Sequence, residues 1–263
     1  MNSIFNAKRF VNYLRWDVNN AAGKFGISAI VLSLVPFFYF VGKQLIFRLL
    51  NGFWAPAGAE VQAVSAFIVY ATTILSFPVK AYGALTEKKF GSSWALLPAS
   101  VFEKWLSTIL TVCLIVPLAV GVPFIVCDTL MSWIFPVHYG SSILGGIDLE
   151  FLEEINDLNI GLAFYGSFAL YLLAFTLGAV FFKRAKVAWT FTVCFLFGCF
   201  AGLLLMKITG QMNFSTEELM DLLNVHDKES MIRFVNCFIT SLYASEAVLL
   251  GAGLFARFKT IKF

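Results

Sequence analysis

Six stretches of this chain are each long and apolar enough to cross a lipid bilayer, and that pattern limits the fold more than any single motif. Crossing about 30 Å of hydrocarbon takes about 20 apolar residues in a helix. In lipid the backbone must satisfy its own hydrogen bonds, which leaves helices as the way to span. The stretches cover residues 25–41, 61–79, 106–130, 160–182, 187–206 and 234–256. Composition agrees: 59% of the 263 residues are hydrophobic, 30 are Phe and only 13% are charged, more apolar surface than one soluble core can hide. The expected fold is all-α, a polytopic membrane protein with six transmembrane helices in one domain, 1–263.

The charged residues orient these spans, because Lys and Arg close to span ends stay on the cytoplasmic side. Fourteen of the nineteen basic residues fall before span one, between spans two and three, between spans four and five, and after span six. Both termini are therefore expected to be cytoplasmic. Ten carboxylates, from Asp148 to Asp157 and from Glu217 to Glu229, lie in the opposite loops. The net charge of +3 thus separates into a basic inner and an acidic outer face, which does not point to nucleic acid.

Residues 1–24 do not read as a cleavable signal, since the apolar run begins late and is long enough to span. Ile4, Ala7, Val11, Leu14 and Val18 recur at three- and four-residue steps, with Lys8, Arg9, Asn12 and Arg15 opposite. That pattern predicts an N-terminal interfacial amphipathic helix on the inner leaflet. In the outer loop 207–233, Ser215 and Glu218 have capping-box spacing and predict a short helix over 219–225. A second short outer helix is expected over 148–158. Pro36, Pro78, Pro117 and Pro123 fall within spans, where each removes a backbone hydrogen bond and favours a kink.

The loop between spans two and three, 80–104, carries the most specific local signal. Ser100 and Glu103 have the Ser-x-x-Glu spacing of a capping box, so a helix starts near Val101 and continues into span three. The wording Leu97-Pro98-Ala99-Ser100-x-x-Glu103-Lys104, after Thr86-Glu87-Lys88-Lys89, resembles the corresponding loop in permease subunits of ABC-2 type transporters. The resemblance implies that Glu87, Lys88, Lys89, Pro98, Ser100, Glu103 and Lys104 form the coupling surface for a separate ATPase subunit. It further implies an exporter of the bacterial inner membrane, working as a homodimer or paired with a similar permease. ATP-driven closure of the partner would push on residues 81–104 and tilt spans one, two and five in alternating access. An amphipathic or hydrophobic cargo, such as an antimicrobial peptide or a lipid-linked molecule, suits the Phe-rich spans.

The chain has no phosphate-binding loop, so ATP and Mg would be bound by the partner and no cofactor is expected on this chain. The histidines, His138 and His226, fall in different outer loops, and no metal pattern is present. The five Cys lack paired spacing and read as packed, reduced thiols. Glu246, in the middle of span six, is the candidate for the translocation path, because a carboxylate at that depth must face the bundle. Thr72, Thr73, Ser76 and Tyr70 on span two are possible donors to it. The alternative from another class is a non-transporting polytopic scaffold or sensor, and an intramembrane enzyme would need a partner for Glu246.

Overall fold

The computed structural model describes residues 5–55, 60–145, 160–211 and 228–261, and every regular element among them is helical. In chain order these are α1 (Ala7–Ser33), α2 (Val35–Asn51), α3 (Glu60–Tyr82), a 3₁₀ turn (Gly83–Thr86) and α4 (Lys88–Ala95). There follow α5 (Val101–Leu110), a π turn (Thr111–Ile115), α6 (Val116–Ile134), α7 (Pro136–Tyr139), α8 (Ile160–Phe181), α9 (Lys186–Gln211) and α10 (Lys228–Thr260). Three continuous helical stretches are long and apolar enough to cross a membrane: Glu60–Thr86, Val101–Ile134 and Ile232–Thr260. The pair α1 and α2, bent by 41°, makes a fourth if it is one broken span. Tyr165–Phe181 and Lys186–Phe200 are shorter apolar stretches. The fold is therefore an all-helical membrane protein with three to four candidate spans.

The N-terminal segment differs from its expected form. It is not a separate interfacial helix: α1 continues without a break from Ala7 through Lys24 into the first apolar stretch. The face it buries is Tyr13, Asp17, Ala21 and Phe25, a strict four-residue stripe, while Val11 of the expected apolar stripe is 58% exposed. Tertiary packing, through α3, α5 and α6, selects this face over the more apolar one. The break comes at Leu34 instead, where Pro36 in the first turn of α2 has no N–H for the end of α1.

Prolines elsewhere act differently. Pro78 and Pro123 sit inside α3 and α6, which run on past them. Just before Pro117 the helix widens into the π turn. Pro117 cannot donate to the carbonyl four residues earlier, that of Cys113, and the Tyr165 hydroxyl of α8 donates to it in its place.

The core is built around α8, which packs on α3, α9 and α10 and on the π turn. Leu172, Phe175, Thr176, Ala179 and Val180 of α8 are buried among Phe77, Val112 and Leu254. Gly178 lets α9 approach: a Cβ there would meet the Cβ of Thr190 at 2.8 Å. Beyond that contact α9 presents Phe191, Phe195, Leu196, Phe197 and Phe200 to the outside. The thiols divide likewise, with Cys113, Cys127 and Cys194 half-buried but Cys199 and Cys237 exposed, so the last two are not packed as expected. Both expected short outer helices, 148–158 and 219–225, lie outside the described residues.

Candidate functional site

The loop 80–104 and the helices around its inner end form one polar assembly. At its centre the capping box is present as expected: Glu103 N–H donates to Ser100 Oγ at 3.2 Å, and Ser100 N–H donates to Glu103 Oε2 at 2.8 Å. The same carboxylate reaches across the chain. Its Oε1 accepts from the N–H of Asn6 at 2.8 Å, and Asn6 is the N-cap of α1. Arg9 completes the group with a bidentate pair, Nε to Oε2 and Nη2 to Oε1, both at 2.7 Å. One buried carboxylate therefore caps two helix N-termini, those of α1 and α5, where both backbone dipoles favour negative charge.

Lys104, the next residue, turns inward. It is 4% exposed, and its Nζ donates to the carbonyls of Trp94 at 2.8 Å and Ala95 at 3.3 Å, closing the C-terminus of α4. The ammonium also lies 4.4 Å from the Trp94 ring centroid. Trp94 Nε1–H donates to the Tyr13 hydroxyl of α1 at 2.9 Å, and its ring packs against Phe258 of α10 at 5.1 Å between centroids. Trp105 Nε1–H donates to the Gly251 carbonyl of α10 at 2.8 Å. Lys186, the first residue of α9, donates to the Gly83 carbonyl and to Thr86 Oγ1, the latter at 2.9 Å.

Other predicted residues take lesser places. Glu87 is the exposed, extended residue before α4, and Lys88 and Lys89 form its first turn. Pro98, exposed, helps line an open cleft of about 420 Å³ between the Leu97–Ala99 turn and the first turns of α1, with Asn6, Arg9, Asn12, Tyr13 and Trp16.

Two buried carboxylates escaped the sequence reading. Asp17 of α1 is 1% exposed, and its Oδ2 accepts from the hydroxyls of Ser107 at 2.9 Å, Tyr82 at 3.2 Å and Thr111 at 3.4 Å. Asp128, near the other end of α6, accepts from the Tyr139 hydroxyl at 2.6 Å and the Ile143 N–H at 2.7 Å, fastening the segment that follows α6. The available signals were a lone Asp at helical spacing from Tyr13 and Ala21, and a lone Asp in an apolar run.

Among the described residues no hydrogen bond joins Glu246 to span two. The residue is half-buried on α10, which packs on α8 and α5. The proposed donors on α3 are used locally, Thr73 to the Val69 carbonyl and Ser76 to the Thr72 carbonyl, each at 2.7 Å. Among the described residues no group of His, Cys, Asp and Glu is arranged to hold a metal ion.

These features define a class: an all-helical membrane protein in which the segment 80–104 is locked to several helices through buried charges. Comparison with family models, with curated proteins and with solved structures gives no match for this chain.

Proposed function

We propose that this chain is the membrane-spanning permease subunit of an ABC-2 type exporter, with six spans and both termini on the cytoplasmic side of a bacterial inner membrane. The observation that carries the reading is the Glu103 carboxylate, which joins the coupling loop to the N-terminus of α1 by three charge-assisted bonds. A loop that served only to connect two spans has no need of a buried carboxylate paired with a residue 94 positions away.

A separate ATPase subunit, holding ATP and Mg, docks on α4 and the Leu97–Ala99 turn, with the cleft beside Pro98 as its seat. A push there passes to α1 through Glu103 and Trp94, to α9 through Lys186, and to α10 through Trp94 and Trp105. The alternating-access movement therefore recruits span six as well as spans one, two and five. The Phe-rich face of α9 is where a second copy packs. Gly198 and Gly202 are one turn apart on it, each with open space where a Cβ would stand, which permits close helix approach. Glu246 lines the path for an amphipathic or hydrophobic cargo.

The test is purification of the tagged chain from its native membrane in mild detergent. A co-purifying protein with a phosphate-binding loop, whose ATP hydrolysis rises in the presence of this chain, is the expected result. Recovery with other partners and no such ATPase would favour a scaffold or sensor and overturn the proposal.

A further inference from the structure

On the far side of the bundle from the coupling loop, α3, α6 and α8 line a cavity of about 530 Å³ that is open along one side. Its walls are Val69, Val120, Gly121, Phe124 and Phe168, closed below by Pro117, and its two tyrosine hydroxyls are already engaged. Tyr165 donates to the Cys113 carbonyl, and Tyr70 is hydrogen-bonded with Ser167. The interior therefore offers a ligand apolar surface and aromatic rings. Apolar cavities of this kind stay dry and take up hydrocarbon, and the volume lies within the range of about 300–1,000 Å³ for small-ligand sites.

Position decides which hydrocarbon. Ala66 and Tyr70, on the α3 wall, stand six and ten residues past Glu60, or about 9–15 Å into the helix at 1.5 Å per residue. That depth is within one half of a hydrocarbon core about 30 Å thick. Beside the mouth, Leu118 and Val122 are 53% and 54% exposed, so the medium that reaches it is lipid. A packed helix does not fit: 530 Å³ holds little more than one turn of a cylinder about 10 Å across. A flexible chain does.

We propose that this cavity binds one acyl chain of a phospholipid from the leaflet on the Glu60 side. The occupancy rests on the chain being a membrane protein and is independent of the transport reading. Gly121 provides the means of closing it, since a Cβ there meets nothing within 4 Å and a larger side chain projects into open space.

The experiment reconstitutes the full chain in phosphatidylcholine vesicles doped with a phosphatidylcholine carrying a diazirine on its acyl chain. After illumination, adducts are mapped by mass spectrometry. Peptides holding 117–125 and 165–168 are expected to label well above those of the exposed apolar stretch 37–46 of α2. Gly121→Leu should bring them down to the level of 37–46 while the latter is unchanged. Ala66→Leu fills the same space from α3, so a failure of one variant to fold leaves the other as the test. Equal labelling of cavity and α2 peptides, or cavity labelling that survives a well-folded filling variant, would overturn the proposal, as would cross-links from Leu118→Cys to a second copy covering the mouth.

Discussion

Replacing Glu103 should loosen two helix ends that are distant in sequence, and by similar amounts. Its carboxylate is fully buried and accepts from Asn6, Ser100 and twice from Arg9. Glu103→Ala removes one cap from α1 and one from α5, each worth about 0.5–2 kcal/mol. The Arg9 half adds little, because the guanidinium is 38% exposed and hydrates when released. At about 1.4 kcal/mol per tenfold, amide exchange at each terminus should speed up about 2- to 30-fold. Glu103→Gln keeps one carbonyl acceptor and turns an amide N–H toward the Arg9 donors, so it should fall between Ala and the native chain. Ser100→Ala removes only the hydroxyl that caps α5 and should leave α1 alone. Hydrogen exchange of the chain in lipid nanodiscs, followed at residues 5–10 and 99–104, separates these cases. If Glu103→Ala accelerates exchange at 99–104 while residues 5–10 keep native protection, the shared cap is refuted.

Two further outcomes follow from other sites. Single cysteines at Leu96 and Leu144, which are 84% and 56% exposed, should label from opposite sides of the membrane in a background lacking the native thiols; labelling of both from one side contradicts the six-span topology. Tyr165→Phe should lower the melting temperature by orphaning the Cys113 carbonyl, about 1–3 kcal/mol for an unmet acceptor, and adding Pro117→Ala should recover part of it because the alanine restores a backbone N–H.

What was legible in the sequence was local. Ser100 and Glu103 are three residues apart, so their reciprocal cap is visible in the spacing, and the helix does start at Val101. Arg9 and Asn6 were out of reach because only the tertiary fold places α1 beside α5. The basic residues showed a charge asymmetry, but not that several of them close helix C-termini. Lys24 donates to the Ala81 carbonyl, Lys104 to Trp94 and Ala95, and Arg257 to Val180, each at the last turn of a helix. Pro36 correctly marked a break, since a proline in a first turn acts through its own missing N–H. The role of Asp17 depended on hydroxyls from three other segments, and in the sequence it was one polar residue among the basic ones of an N-terminal helix. Hydrophobic periodicity also misjudged α1: in a membrane protein the buried face is the one that finds polar partners, while the apolar face is left to lipid.

Seating of an ATPase on the turn before α5 is tested in the native membrane by a photo-crosslinking residue at Ala99, with one at Leu144 as control. The expected result is an adduct from Ala99, absent from Leu144, to a protein with a phosphate-binding loop, weakened when Lys88 and Lys89 are both replaced. Adducts from Ala99 only to lipid, or to proteins without such a loop, would contradict it.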